Sequence, residues 1–245
     1  MLTVFIPFHN EERKNIGTFL EELKKIINLE IIQKFIFVDD GSKDNTKKIL
    51  DEYIESNNFQ NKIKILTSRK NKGVGNCFKE ALKNSDSKYI IFIPSDNDIP
   101  FSIFKSIEIF TKQDLDLVMY YPVNLEKYSK YRYLISMLYR IIYGFFFDIK
   151  IHYIQAPGLY KVEKLKKENF FSNRFSIWAE MNIKLLKSGI KYSEIGIVYN
   201  NKSYVDRSVS LKNLIEVFVS FVKIFFQIHI LKKRKYKNKS IKIYF

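Results

Sequence analysis

Tyr89-Ile90-Ile91-Phe92-Ile93 is an apolar run without polar alternation, and it leads directly into Pro94-Ser95-Asp96-Asn97-Asp98. Such a run predicts a strand that is buried on both faces, as in a parallel sheet. Ligands of parallel sheets bind beyond the carboxyl ends of the strands. An Asp-x-Asp at that position predicts a pair of carboxylates in the crevice, and hard oxygen ligands of this kind suit Mg²⁺ or Mn²⁺.

Three steps of strand and helix precede this run. The predicted strands are 3–7, 35–38 and 64–66, and the predicted helices are 11–27, a second one capped by Asp44 or Asn45, and 74–83. The alternation of apolar runs with helical periodicity predicts an α/β fold, with a doubly wound, mostly parallel sheet and helices on both faces.

The second half of the chain has a less regular pattern. It predicts helices over 102–111, 128–147 and 176–187, the last closed by Gly189, and strands over 115–120 and 192–199. Gly158-Leu159-Tyr160 is interpreted as a turn. The pattern predicts one main domain over 1–210, with a first half to residue 100, and a separate C-terminal segment over 211–245.

Charge and cysteine content limit the class of protein. The 245 residues carry a formal net charge of +16, which predicts an anionic partner such as a nucleic acid, a phospholipid surface or a phosphorylated substrate. Cys77 is the one cysteine, which excludes a disulfide framework and fits a reducing cytosol. The amino-terminal residues lack a signal-peptide pattern, so we expect no export.

Three predicted strand ends carry polar groups. They are His9-Asn10-Glu11, Asp39-Asp40-Gly41-Ser42 and Ser95-Asp96-Asn97-Asp98. Each group taken alone is typical of a helix cap or a turn. Because the carboxyl ends of parallel strands share one edge of the sheet, the three groups together predict a binding site.

These motifs, with Asn71-Lys72-Gly73-Val74-Gly75 between them, resemble the inverting glycosyltransferases of family 2. The resemblance implies a GT-A fold, a nucleotide-sugar donor and a divalent metal that neutralises the departing nucleoside diphosphate. UDP, GDP and dTDP sugars all remain compatible. The implied roles are these: Pro7, His9 and Glu11 flank the nucleoside, Val38 and Asp40 contact the base, Asp96 and Asn97 lie along ribose and diphosphate, Lys72 lies near the diphosphate, and Asp98, together with Asp96, binds the metal.

The second half is similar to polyprenol-phosphate sugar transferases and to enzymes of surface-polysaccharide assembly. The similarity is carried by Arg132 with Ser136, by Glu180 nine residues before Gly189, and by residues 207–212. It implies a lipid-phosphate acceptor with Arg132 and Arg207 as counter-charges, and such a nucleophile needs no strong base. We therefore expect a polyprenyl phosphate or a lipid-linked glycan as the acceptor. The alternative is transfer to a sugar hydroxyl in polysaccharide assembly, with Glu180 as the general base. Glu180 is equally compatible with a helix-surface ion pair to Lys184.

The C-terminal segment predicts an amphipathic helix over 211–231. Its polar residues fall on one stripe, and a basic run over 232–242 follows: the stripe is Lys212, Glu216, Ser220, Lys223 and Gln227. We expect this helix to lie peripherally on the cytoplasmic face of an anionic membrane, with an aromatic patch over 139–147 as a second contact. Packing on the main domain or on a second protomer is the alternative, and a non-enzymatic nucleic-acid-binding protein is a remote one.

Overall fold

The computed structural model describes residues 1–14, 16–124, 130–200 and 211–244, with backbone alone at 131–133 and 211–214. One eight-stranded sheet forms the centre, in the order β3-β2-β1-β4-β6-β5-β7-β8. The strands are β1 (Leu2–Phe8), β2 (Ile32–Asp39), β3 (Ile63–Thr67), β4 (Tyr89–Phe92), β5 (Leu117–Pro122), β6 (Gly158–Lys161), β7 (Lys191–Ile197) and β8 (Ile241–Lys242).

Strand directions explain where a ligand would bind. β6 runs antiparallel to β4 and β5, and the other neighbouring pairs are parallel. The carboxyl ends of β1 to β5 and of β7 therefore share one edge of the sheet. The strand order reverses between β1 and β4, which is the position where open α/β sheets bind ligands.

Helices cover both faces of the sheet and fill two apolar cores. The helices are α1 (Ile16–Lys24), α2 (Thr46–Ser56), α3 (Val74–Lys83), α4 (Phe104–Lys112), α5 (Lys130–Phe147), α6 (Val162–Lys166), α7 (Ser176–Lys187) and α8 (Leu211–Phe226), which a π-helical turn over Gln227–Leu231 extends. Successive side chains of β1 point into opposite cores. Phe5 packs under α3 and α7, whereas Val4 and Ile6 pack under α1 and α4. The predicted α/β sheet with helices on both faces is confirmed.

The first helix is shorter than the sequence pattern predicts. It begins at Ile16 because Glu11 to Lys14 form a turn, in which the Lys14 amide donates to the Glu11 carbonyl. The side chain of Asp44, rather than that of Asn45, caps the start of α2, since its Oδ1 accepts the amide of Thr46 at 3.0 Å.

The segment over 158–160 is a strand, so its interpretation as a turn is wrong. Gly158 opens β6, where a Cβ atom would lie 2.5 Å from the carbonyl oxygen of Val118. Only glycine therefore allows β6 to insert between β4 and β5. The pairing is long-range, and the short apolar segment gives no local periodicity that would show it.

The C-terminal segment is joined to the main domain. β8 pairs with β7, and the Tyr236 hydroxyl donates to Glu168 at 2.6 Å. In α8, Ile224 is buried in the core while Ser220 of the expected polar stripe is also buried, so the stripe lies partly against the domain instead of facing water. In the described part of the chain, no helix is both long and apolar enough to cross a bilayer.

Candidate functional site

The Asp96-Asn97-Asp98 turn follows β4 at the switch point of the sheet. The Asp98 amide donates to Asp96 Oδ1 at 3.1 Å, and Asn97 has a left-handed φ of 60°. Asp98 is 9% exposed, whereas Asp96 is exposed to solvent. The turn thus holds two carboxylates close together, one of them against the protein.

These two carboxylates fit a metal that is shared with a substrate. No group of three or more His, Cys, Asp or Glu side chains among the described residues is arranged to hold an ion by itself. Mg²⁺ is commonly bound by one or two carboxylates together with substrate phosphates. Asp96 and Asp98 would supply the protein share of such a ligand set, and diphosphate oxygens would complete it.

Asn200 ties the end of β7 to this turn. Its amide donates to the Asp98 carbonyl at 2.8 Å, and its Nδ2 donates to the Asn97 carbonyl at 2.9 Å. The neighbouring Asn124 and Tyr199 join the ends of β5 and β7 by two further bonds, at 2.9 and 3.1 Å. The second half of the chain therefore positions the candidate metal ligands.

Replacing Asn200 with alanine is expected to weaken Mn²⁺ affinity about tenfold, because partners that orient a metal ligand typically contribute that much. A Mn²⁺ titration followed by electron paramagnetic resonance, at saturating nucleoside diphosphate, measures the change. Asn61→Ala is the matched control, since Asn61 is an exposed asparagine at the opposite edge of the sheet. Equal Mn²⁺ affinity in both variants would rule out the orienting role.

The loops after β2 and β3 are joined by Asp40. Its Oδ1 accepts the Lys72 amide and its Oδ2 accepts the Gly73 amide, each at 2.8 Å. Asp40 is 4% exposed, so its carboxylate is buried where these two amides bind it. Its expected contact with a base stays a prediction, and the structure adds a clear structural role.

A polar cleft opens beside these loops. Its volume is about 470 Å³, and its walls come from the ends of β1, β2 and β3: His9, Asn10, Gly41, Ser42, Lys43, Arg69, Lys70 and Asn71. Asn10 shapes the wall, since its Oδ1 accepts the Lys43 amide at 2.8 Å and its own amide donates to Ser42 Oγ at 3.1 Å. Three cations and a histidine line the cleft, so it favours an anionic ligand.

Gly41 lets the two cleft loops approach each other. Its φ is +68°, and a Cβ atom would lie 2.5 Å from the carbonyl carbon of Lys70. Gly41→Ala is therefore expected to lower the free energy of unfolding by about 2 kcal/mol or more.

Gly17→Ala is the matched control for that change. Gly17 lies in α1, and a Cβ atom there meets nothing within 4 Å. It is expected to raise the unfolding free energy by about 0.5 to 1 kcal/mol. Urea denaturation of both variants measures the two shifts, and a stabilised Gly41→Ala protein would contradict the close approach.

Glu180 lies in the core, away from solvent. It is 0% exposed, forms an ion pair with Lys184, and accepts the amides of Phe171 and Ser172 at 3.1 and 2.9 Å. Burial lowers the pKa of Lys184, and the charge of Glu180 opposes that shift. The expected pairing with Lys184 is present, but the expected surface position of this pair is wrong. The general-base role stays a prediction.

The loop that Glu180 holds packs against the start of α3. The amide of Asn76 donates to the Asn173 carbonyl at 3.1 Å. A Cβ atom at Gly75 would lie 2.8 Å from the Asn173 carbonyl carbon, so the two backbones touch directly. Glu180 thus supports the position of the Gly73 amide that binds Asp40.

The other expected residues are placed differently. His9 lines the cleft, and Pro7 is half-buried between the buried Ile6 and Phe8 of β1. Lys72 is exposed beside Gly73, and Glu11 is 9% exposed and pairs with Lys14 at 2.8 Å. The Val38 side chain packs in the core. Arg132 lies in α5 with its side chain outside the description, and Arg207 lies outside the described residues.

Arg69, Lys70 and Asn200 are site residues that we did not predict. The first two follow β3, and the rule about carboxyl ends of strands would have found them if it had been applied to that strand. Asn200 gives no comparable signal, because its contact with Asn97 spans 103 positions of the chain.

Comparison with known proteins agrees with this geometry. Residues 3–167 match the family description Glycosyl transferase family 2. S. aureus TarS 1-349 in complex with UDP superposes with a TM-score of 0.64 at 20% identity, covering 96% of this chain and 68% of that one. Glucosyl-3-phosphoglycerate synthase of Mycobacterium tuberculosis in complex with UDP gives 0.65 at 13%, covering 92% and 80%. The fold is thus that of the GT-A glycosyltransferases, and the chain belongs to glycosyl transferase family 2.

Two proteins of similar sequence match this chain over very different fractions of its length. The dolichyl-phosphate beta-glucosyltransferase of Dictyostelium discoideum is 31% identical over 127 residues, 48% of this chain and 38% of that protein. An uncharacterized protein of Methanocaldococcus jannaschii is 27% identical over 243 residues, 92% of this chain and 99% of its own length. The first match spans less than half the length of the relative.

Proposed function

We propose that this chain is a metal-dependent, inverting glycosyltransferase that transfers a sugar from a nucleoside diphosphate to a polyprenyl phosphate or lipid-linked glycan. The observation that carries the proposal is the shared edge of the sheet. There the Asp96-Asn97-Asp98 turn follows β4 at the switch point, and a cleft with three cations lies at the ends of β1, β2 and β3. Family membership over residues 3–167 supports the same reaction.

In this proposal, different residues of the first half bind the nucleotide and the metal. The cleft residues would bind the anionic nucleotide, and the carboxylates of Asp96 and Asp98 would hold Mg²⁺ or Mn²⁺. The metal would supply Lewis-acid stabilisation of the leaving nucleoside diphosphate. Neighbours of this fold bind UDP, and one of them binds Mn²⁺ together with UDP, which supports a UDP sugar among the possible donors.

The acceptor is proposed from chemistry and from relatives. Dolichyl-phosphate beta-glucosyltransferases of Dictyostelium discoideum and Homo sapiens are among the similar proteins. A lipid phosphate is already anionic and needs no strong base. The full burial of Glu180 beside Lys184 favours such an acceptor over a sugar hydroxyl that a base must deprotonate.

A donor screen tests the proposed function. The protein is incubated with UDP, GDP and dTDP sugars, with Mg²⁺ or Mn²⁺, and with a short-chain polyprenyl phosphate, and the lipid product is identified by mass. We expect a metal-dependent glycosyl lipid from one donor. Release of no nucleotide from any donor, together with a salt-sensitive shift of RNA, would instead favour the nucleic-acid-binding alternative.

A further inference from the structure

Two neighbouring helices expose apolar side chains on one side of the molecule. We call this surface the α5–α8 platform and define it by these exposed residues: Leu138, Ile141, Ile142, Phe145, Phe146, Ile215, Phe218, Val219, Phe226, Ile230 and Leu231. Phe145 is 80% exposed, and Phe218 is 66% exposed. Contiguous exposed apolar surface of this kind marks an interaction site in soluble proteins.

Aromatic contacts join the two helices into one surface. Phe145 meets Phe146 at a ring distance of 5.3 Å, and Phe146 meets Phe221 of α8 at 5.3 Å. Phe146 also lies 5.9 Å from Phe225, which lies 6.2 Å from Phe226. Below them Tyr143, Phe147 and Ile224 are buried, so the platform is a fixed part of the fold: these residues form its underside.

Cations border the platform where α8 ends. Lys232, Lys233 and Arg234 are exposed directly after Leu231, and Lys237 and Lys239 are exposed shortly beyond. Other cations of the same segment serve the fold: Lys235 pairs with Glu168 at 2.8 Å and Lys242 with Glu194 at 2.6 Å. The exposed cations are therefore a subset placed next to apolar side chains.

Acidic residues are nearly absent from both helices. α5 contains none, and α8 contains one, Glu216. Burial raises the pKa of that carboxyl, which lies near Ser176 and Arg174 on the domain side. The platform thus combines apolar and cationic groups and is complementary to an anionic surface. A second copy of this chain on the same surface would bring like charges together.

We infer that the α5–α8 platform binds an anionic phospholipid bilayer, with its apolar side chains at the boundary between head groups and acyl chains and its exposed cations on lipid phosphates. Stable peripheral binding requires both burial of apolar groups in the bilayer and attraction between cations and anionic lipids. The apolar face supplies the first, and the polybasic patch supplies the second. The aromatic rings suit this depth, because they have a large apolar surface.

The domain side of α8 lies near residues that contact the start of α3. α8 lies beside the loop over 172–176, and the Arg174 side chain lies 3.0 Å from a Cβ position at Gly73. Gly73 carries one of the amides that bind Asp40.

Vesicle sedimentation of the full chain tests the inference without any nucleotide sugar, so the result is independent of catalysis. Vesicles of phosphatidylcholine alone are compared with vesicles that also contain phosphatidylglycerol. We expect binding mainly to the anionic vesicles. A variant that combines Lys233→Gln, Arg234→Gln and Lys237→Gln is expected to bind them about tenfold more weakly or worse, since each cation near an anionic leaflet contributes to binding.

The apolar part is tested by Phe145→Ser with Phe226→Ser, which is likewise expected to lose about tenfold or more. Two controls lie outside the platform: Ile109→Ser with Leu29→Ser for apolar exposure, and Lys25→Gln, Lys48→Gln and Lys105→Gln for net charge. Circular dichroism establishes that each variant is folded.

Three outcomes would overturn the inference. The first is equal binding of the native chain to neutral and anionic vesicles. The second is an equal loss of vesicle binding in the platform variants and in the control variants. The third is self-association that the Phe145 and Phe226 changes abolish, while the native chain binds no vesicles. The last outcome, read from light scattering after gel filtration, would make the platform an interface between copies of the chain.

Discussion

Replacing Asp98 with alanine is expected to lower kcat/KM by about a thousandfold, because a bound metal contributes several kcal/mol to the stabilisation of leaving-group charge. Asp98 is the more buried carboxylate of the turn after β4, and Asn200 holds its backbone in place. The assay is release of nucleoside diphosphate from the donor that the screen identifies, measured over a range of Mn²⁺ concentrations.

The matched control for this change is Asp86→Ala. Asp86 is an exposed aspartate at the amino end of β4, on the opposite edge of the sheet. We expect its kinetics and metal dependence to equal those of the native chain. Thermal unfolding of both variants separates loss of metal from loss of fold. Full activity of Asp98→Ala with unchanged Mn²⁺ dependence would disprove the metal assignment.

Replacing Glu180 with alanine is expected to lower the free energy of unfolding by about 3 to 5 kcal/mol, since it leaves a buried cation without its partner. The Lys184 side chain is 1% exposed, and the amides of Phe171 and Ser172 lose their acceptor as well. Urea denaturation followed by tryptophan fluorescence measures the loss, because Trp178 lies in the same helix.

Two further variants make this prediction specific. Glu108→Ala removes the carboxylate of an exposed pair with Lys112, which has the same four-residue spacing, and it is expected to have no measurable effect. A variant that combines Glu180→Leu with Lys184→Met removes both charges and is expected to regain much of the lost stability. If that double variant folds and keeps its transfer activity, Glu180 is not the general base.

The first hundred residues show how far local sequence can predict a fold. α3 begins and ends at the predicted residues, Val74 and Lys83, because its apolar residues recur with helical spacing. α7 likewise covers its predicted range, Ser176–Lys187. Strand positions were predicted within a few residues, since fully buried strands are continuous apolar runs.

Features formed by distant contacts escaped prediction. β6 depends on the fit of Gly158 against Val118, and the burial of Glu180 depends on a loop that folds over α7. A glutamate and a lysine four residues apart are typical of an exposed helix face, so sequence favoured a surface position. The carboxylate turn was predictable from the end of one strand, whereas Asn200 required the assembled sheet.

The contact between Gly75 and the loop over 172–174 couples the two halves of the enzyme. No side chain separates the backbones there, and the Lys72 and Gly73 amides that bind Asp40 lie immediately before it. A change that displaces the loop must therefore also move the start of α3 or open a gap beside it. Substitutions in this loop are consequently limited to those that leave the backbone of residues 172–174 in place.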